Sequence, residues 1–193
     1  TVDEQTGVST TTTYRQDWPF IGSPWKTKVE TANGHLLSQS TNHWALQGWQ
    51  THWPDQFKNN GSISLGALQP HIAETEQQTY ALQNNGSSAG SRLTTTTAQM
   101  TYDSYGNATQ IINRDLDGYG NLARKQTTTN SYGSTDYDRE KGRLSKTNVT
   151  TERPGQPSKT RESTFSYYSS GRHQGLLHKE TVQSNGDQSQ TLH

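Results

Sequence analysis

A short pattern that begins with tyrosine recurs along the second half of the chain. Its clearest copy runs from Tyr102 and Asp103 to Gly106 and Asn107. Asp can accept a hydrogen bond from its own backbone two residues on, and Gly adopts a positive φ without steric cost, so the copy predicts the reversal of a β-hairpin. Looser copies follow at intervals of roughly 30 to 35 residues, a period typical of structural repeats, whose units contact mainly their neighbours.

The looser copies depart from the first one in defined ways. The second has an extra residue before its glycine, the third has Tyr where Asp stood, and a further stretch keeps only the Tyr-Gly-Asn tail. These copies are Tyr137-Asp138 with Gly142-Arg143, Tyr167-Tyr168 with Gly171-Arg172, and Asp117 to Asn121. We assign the residues of the Tyr-led copies a structural role, in which they fix hairpins, and no catalytic role.

The composition indicates which kind of sheet these hairpins can form. Only 26% of the residues are hydrophobic and the mean hydropathy is -1.08, which is too polar for a thick apolar core. Disorder is disfavoured because 17 basic residues balance 17 acidic ones and the chain carries 9 Tyr and 5 Trp. We therefore predict an all-β fold, a twisted antiparallel sheet of successive β-hairpins with one or both faces in water.

Turn-forming and strand-breaking residues along the chain predict where the strands lie. We expect strands over residues 8–15, 91–102, 143–151 and 160–168, an irregular corner over 18–24, a break over 65–70 and a turn over 153–157. Residues 72–82 fit a strand or a short helix, and we favour the strand. Asn33-Gly34 is the clearest of several Asn-Gly steps. As a two-residue turn it would place Thr31 opposite Leu36 and Val29 opposite Ser38. We divide the chain into a hairpin region with Trp-rich loops, 1–98, and a region of degenerate repeat hairpins, 99–193.

Charge and motif content remove several classes of function. The net charge is zero with no basic run, so we expect no nucleic-acid partner. No stretch approaches the roughly 20 apolar residues of a membrane span. The histidines form no ligand motif, and the spacing of Asp115, Asp117 and Gly118 is too short for a calcium loop. We expect no metal, no cofactor and no enzymatic activity.

Three tryptophans offer a different function. Trp44, Trp49 and Trp53 lie close together in the sequence, and aromatic faces can stack on sugars. The alternative hypothesis is therefore a carbohydrate-binding or adhesive surface module that uses these three side chains. The competing interpretation is that they anchor a domain that has few other apolar residues.

The Tyr-Asp-x-x-Gly pattern resembles the YD repeat of the RHS family of bacterial proteins. The segment from Thr13 to Phe20, with Gly22 and Pro24, is similar to the middle region of B-type toxin-complex and SpvB-like proteins. The resemblance implies a wall segment of a hollow β-shell that encloses and delivers a toxic domain. The family's Asp-Pro self-cleavage motif does not occur here, so no catalytic residue is carried over.

The same resemblance implies a location and a set of partners. It makes the chain a piece of a longer protein that is secreted or held at the bacterial cell surface. The expected partners are the rest of that RHS chain and an enclosed toxin domain. An isolated open sheet leaves two unpaired edges, so we also expect edge-strand self-association unless an end of the chain covers its own edge.

Overall fold

The computed structural model is one open antiparallel sheet of eleven strands. It describes residues 2, 7–48, 68–82, 90–133, 142–184 and 189–192. The strands are β1 Ser9–Tyr14, β2 Pro24–Glu30, β3 Leu36–Gly48, β4 Leu68–Tyr80, β5 Arg92–Tyr102, β6 Ala108–Asp117, β7 Leu122–Tyr132, β8 Leu144–Arg153, β9 Gln156–Tyr167, β10 Leu177–Ser184 and β11 Ser189–Leu192. They pair in chain order, and within the described residues each strand contacts only its sequence neighbours. The predicted sheet of successive antiparallel hairpins is confirmed.

Several predicted segments coincide with observed strands. The segments 8–15, 91–102, 143–151 and 160–168 correspond to β1, β5, β8 and β9, and Val29 lies opposite Ser38 as expected. The turn between β8 and β9 contains Pro154 and Gly155, the latter with a φ of 71°. The boundary placed between residues 98 and 99 lies inside β5, so the two regions share one strand of a continuous sheet.

The turn between β2 and β3 differs from the prediction. The Thr31 N–H donates to the His35 carbonyl at 2.9 Å, so the loop holds three residues and not two. Leu36 consequently lies opposite Glu30 and not opposite Thr31, which makes that part of the prediction wrong. The cause is local. The Thr31 hydroxyl accepts a bond from the His35 N–H at 3.1 Å, which stabilises the longer loop with Gly34 at a φ of 78°.

Pro70 lies within β4, although the sequence predicted a break over residues 65–70. It pairs with Leu46 of β3. The pairing of β4 with β5 begins only at Glu74, which lies opposite Gln99. Pro70 therefore has a partner strand on one side only, and this is the setting in which a residue without an N–H is tolerated in a sheet. Residues 65–67 lie outside the described part of the chain.

The described residues form a single-layered sheet that has no apolar core. None of the described hydrophobic side chains is buried, and the two buried residues are Thr95 at 4% exposure and Ser163 at 8%. The hydroxyl of Thr95 is buried without a hydrogen-bond partner. Because no second layer of described residues covers either face, their stabilisation has to come from backbone pairing and from cross-strand side-chain contacts.

Strand register defines the two faces of the sheet, because directly paired residues share a face. One row crosses the sheet as Lys26, Thr41, Glu76, Thr97, Arg114, Lys125 and Glu152, and we call its side the charged face. A second row lies on the opposite side of the sheet, which we call the aromatic face. It consists of Thr12, Thr27, Ser40, Gln77, Thr96, Asp115 and Arg124.

The outermost strands differ in how their outer edges are placed. β1 and β11 stand at opposite ends of the strand order, and they do not pair with each other in the described residues. On the outer side of β1, Val2 forms an antiparallel bridge with Ser9. The beginning of the chain thus reaches the edge of β1, while the expected self-association through sheet edges stays a prediction.

Candidate functional site

Four aromatic side chains occupy equivalent positions near one end of the sheet. Each lies near the end of an odd-numbered strand and donates a hydrogen bond to a backbone carbonyl of the preceding strand. The bonds are Trp44 Nε1 to Pro24 at 2.9 Å, Tyr102 Oη to Ile72 at 3.2 Å, Tyr132 Oη to Ala108 at 3.0 Å and Tyr167 Oη to Leu144 at 2.8 Å. Because strands lie about 4.8 Å apart, these aromatic groups recur roughly every 10 Å.

Asparagine side chains reinforce two of these bonds. Asn42 and Trp44 are two residues apart on one strand, so they share a face, and both donate to the Pro24 carbonyl. Asn130 and Tyr132 are likewise two residues apart. The Asn130 amide donates to the Ala108 carbonyl at 2.9 Å beside the Tyr132 hydroxyl. In both places two side chains of one strand hold a single carbonyl of the strand before it.

The aromatic positions coincide with irregularities in strand pairing. The register shifts immediately before Tyr14, Tyr102 and Tyr132, the last residues of β1, β5 and β7. A β-bulge increases the local twist and leaves ladder groups without their usual partners. The tyrosine bonds reach the preceding strand, and their acceptors Ile72, Ala108 and Leu144 each lie beside a register shift of that strand. Each bond therefore ties two strands together next to a bulge. Tyr102, Tyr132 and Tyr167 share this position at the ends of β5, β7 and β9.

The first aspartate turn has the chemistry that its sequence predicted. Asp103 Oδ1 accepts bonds from the N–H groups of Tyr105 and Asn107 at 2.8 and 2.9 Å, and Oδ2 accepts from the Asn107 amide at 2.9 Å. Gly106 has a φ of 83°, and its N–H donates to the Asp103 carbonyl. The carboxylate thus closes the reversal from β5 into β6.

A second aspartate turn has the same bonds, which the sequence pattern missed. Asp117 Oδ1 accepts from the N–H groups of Tyr119 and Asn121 at 2.9 and 2.8 Å, and Oδ2 accepts from the Asn121 amide at 3.0 Å. The Asn121 side chain, followed by backbone donors, lowers the pKa of Asp117 below its usual range. The signal was present as Asp-x-Tyr-Gly-Asn, since Asp103 and Asp117 hold the same place in it.

The remaining residues of the Tyr-led copies do not all lie at positions equivalent to those of the first copy. Tyr137 and Asp138 lie outside the described residues, and the position in β7 that is equivalent to Tyr102 belongs to Tyr132. Gly142 and Arg143 follow in the approach to β8, where the Arg143 carbonyl accepts from the Gly133 N–H and its guanidinium lies 5.5 Å from the centre of the Tyr167 ring. Gly171, with a φ of 78°, and the exposed Arg172 belong to the loop between β9 and β10.

Two nine-residue loops, 15–23 and 168–176, share a backbone bond pattern that their sequences do not reveal. In the first, the Arg15 N–H donates to the Ser23 carbonyl and the Gly22 N–H donates back to the Arg15 carbonyl. In the second, the corresponding bonds join Tyr168 with Leu176 and Gly175 with Tyr168. The two glycines have φ values of 81° and 88°, a conformation that favours glycine.

Burial perturbs two of the aromatic groups. Desolvation raises the pKa of both the Tyr102 and the Tyr132 hydroxyl. At Tyr132 the Asp103 carboxylate also raises the pKa, while the bond with Asn130 lowers it. Tyr102 also packs edge-on against His71, with ring centres 4.6 Å apart. Both phenols are protonated at neutral pH in any case, and the raised pKa extends to more alkaline pH the range in which they remain hydrogen-bond donors.

The tryptophans named in the carbohydrate hypothesis are only partly described. Trp44 is half-buried and its Nε1 is committed to the Pro24 carbonyl. Trp49 and Trp53 lie outside the described residues. The most exposed described indole is that of Trp18, at 72%, in the loop between β1 and β2. A sugar-binding cluster of Trp44, Trp49 and Trp53 therefore stays a hypothesis.

The described residues bring together few side chains that could bind a metal ion or take part in a reaction. They contain no set of three His, Cys, Asp or Glu side chains close enough to hold a metal ion. Asp115 is paired with Arg124 at 2.7 Å and accepts a bond from Thr96. Nowhere in the described ranges is there a helix with the length and apolar character that crossing a membrane requires.

Comparison with known proteins adds no relative. A scan against protein-family models finds no match for the chain, and no curated protein matches its sequence significantly. The resemblance to YD-repeat proteins consequently rests on the residues of this chain alone.

Proposed function

We propose that the chain is a non-enzymatic wall segment of a β-shell of the RHS and YD-repeat kind. The observation that carries the proposal is the single-layer sheet, in which no described hydrophobic side chain is buried. An ordinary domain hides one face of its sheet against a second layer. A sheet that buries no apolar side chain on either face is suited to stand with water on both sides, as the wall of a hollow particle must.

The repeated aromatic bonds support the same role. They recur every second strand from β3 to β9, apart from the local differences between Trp44 and the tyrosines. Each strand contacts only its sequence neighbours in the described residues, so the unit can be added repeatedly at either end. In this proposal Tyr102, Tyr132 and Tyr167 fix register, and they have no part in chemistry.

The proposal also assigns partners and a location. The rest of the parent polypeptide extends the sheet beyond β1 and β11 and closes the shell. A toxic domain is the enclosed cargo, and the assembly is secreted or carried at the bacterial surface. The wide polar faces of the wall hold the cargo without binding it through an apolar interface, which suits a compartment that must later release its contents.

Electron microscopy and proteolysis of the intact parent polypeptide test this proposal. We expect hollow particles in which the cargo resists added protease. Replacing Tyr102, Tyr132 and Tyr167 together with alanine should open the wall and make the cargo cleavable, whereas the same change at the exposed Tyr105 and Tyr119 should not. Compact particles without a cavity, or a cargo that is cleaved equally in every variant, would refute the proposal.

A further inference from the structure

A shallow trough runs along β8 on the aromatic face. Its floor consists of short side chains of β8, with an amide from β7 on one side and two cations from β9 on the other. The residues used below are Thr147, Val149, Thr151, Gln126, Lys159 and Arg161. Thr151 lies opposite both Gln126 and Lys159, and Val149 lies opposite Arg161, so the three strands share one register here. The trough has a volume of about 480 Å³.

The trough is positively charged and no carboxylate lines it. Lys159 and Arg161 are both exposed. Glu162, the residue after Arg161 in β9, lies on the charged face, where it pairs with Lys146 at 2.6 Å. Farther along the aromatic face, Asp115 forms an ion pair with Arg124. A neutral chain therefore presents a local excess of two positive charges in a concave site.

The spacing of the two cations matches one class of ligand. Lys159 and Arg161 occupy alternate positions of β9, which places them about 7 Å apart along the strand. Alternate side chains of any extended peptide have the same spacing. The floor from Thr147 to Thr151 spans roughly 13 Å, enough for about four extended residues. A sulfated polysaccharide would supply charge as well, but its charges have no reason to follow the repeat of a strand.

We propose that this trough binds an extended acidic peptide segment that carries carboxylates at alternate positions. Arg161 supplies a planar guanidinium suited to two parallel bonds with one carboxylate, and Lys159 supplies a point charge for the next. Gln126 and Thr151 lie beside the path of the peptide and can bond its backbone groups. The proposal goes beyond the wall function, because a wall needs no ligand on its surface.

Fluorescence anisotropy with the whole chain tests the proposal. The probe is a short labelled peptide in which Glu and Thr alternate, and its control has the same composition with the Glu residues grouped together. The test variant is K159Q/R161Q. The matched control is K26Q/K28Q, which removes two cations from alternate positions of one strand on the charged face. Circular dichroism verifies that each variant keeps its strands.

We expect saturable binding of the alternating peptide, weaker binding of the grouped one, and an affinity about tenfold lower for K159Q/R161Q than for the unchanged chain. K26Q/K28Q should bind as the unchanged chain does. Equal losses in both double variants would show unspecific attraction and overturn the proposal. Binding of heparin without binding of the alternating peptide would assign the trough to a polysaccharide instead, and absence of saturable peptide binding would likewise overturn it.

Discussion

Two tyrosine-to-phenylalanine variants should differ in stability by an amount that the bonding pattern sets. The Tyr167 hydroxyl donates to the Leu144 carbonyl at 2.8 Å, and the described residues offer that carbonyl no second side-chain donor. The Ala108 carbonyl instead accepts from both Tyr132 and Asn130. A net hydrogen bond is worth about 1 kcal/mol. Removing the Tyr167 hydroxyl should therefore cost about 1–1.5 kcal/mol, and removing that of Tyr132 about 0.5 kcal/mol, because the second donor remains.

Urea unfolding followed by tryptophan fluorescence measures this difference. The free energy of unfolding should fall in the order given while the dependence on urea stays constant, since neither change alters the surface exposed on unfolding. Tyr119→Phe is the control, because that side chain is 94% exposed and its loss should change stability by less than about 0.5 kcal/mol. Equal losses at Tyr132 and Tyr167, or a larger loss at Tyr132, would refute the assignment of these bonds as register-fixing contacts.

Three further changes test the turns and the titrating groups. Because the bond from Asn121 lowers the folded-state pKa of Asp117, this carboxylate stabilises the fold above about pH 4 and loses that contribution as the pH falls through the lowered value, so D117N should flatten acid unfolding followed by circular dichroism. A Cβ at Gly118 would lie 2.3 Å from the Arg92 carbonyl oxygen, so G118A should cost about 1–3 kcal/mol in urea unfolding. Burial raises the pKa of Tyr132, so its contribution is complete below about pH 10 and is lost as the pH rises through the raised value; Y132F should therefore make alkaline unfolding less steep.

The turns could be predicted from the sequence because their chemistry is local. The carboxylate of Asp103 and the positive φ of Gly106 act within five consecutive residues, so the pattern that names them also describes their bonds. Locality also explains the error at Asn33-Gly34. The pattern names the two turn residues, but the loop length depends on the Thr31 hydroxyl two positions earlier, which accepts from His35.

The four aromatic side chains that bond the preceding strand could not all be predicted, because their acceptors are distant in the sequence. Tyr132 bonds a carbonyl 24 residues earlier, at Ala108, and nothing beside Tyr132 in the sequence announces that contact. The Tyr-Asp pattern pointed to Tyr137, which lies outside the described residues. The likeness of loops 15–23 and 168–176 was hidden for a related reason: backbone bonds define it, and apart from a glycine at the same place their side chains have little in common.

The absence of an apolar core in the described residues makes register the property that this fold has to protect. A slip of one residue between two strands exchanges the faces of every side chain beyond it. In most sheets the cost of exposing a buried hydrophobic face prevents such a slip, but here no described hydrophobic side chain is buried on either face. The carbonyl bonds of Trp44, Tyr102, Tyr132 and Tyr167 depend on one register, because a slip carries the donor past its acceptor. Substitutions elsewhere on the faces should therefore be tolerated far better than substitutions at these aromatic positions, because their bonds to the preceding strand fix the register of the sheet.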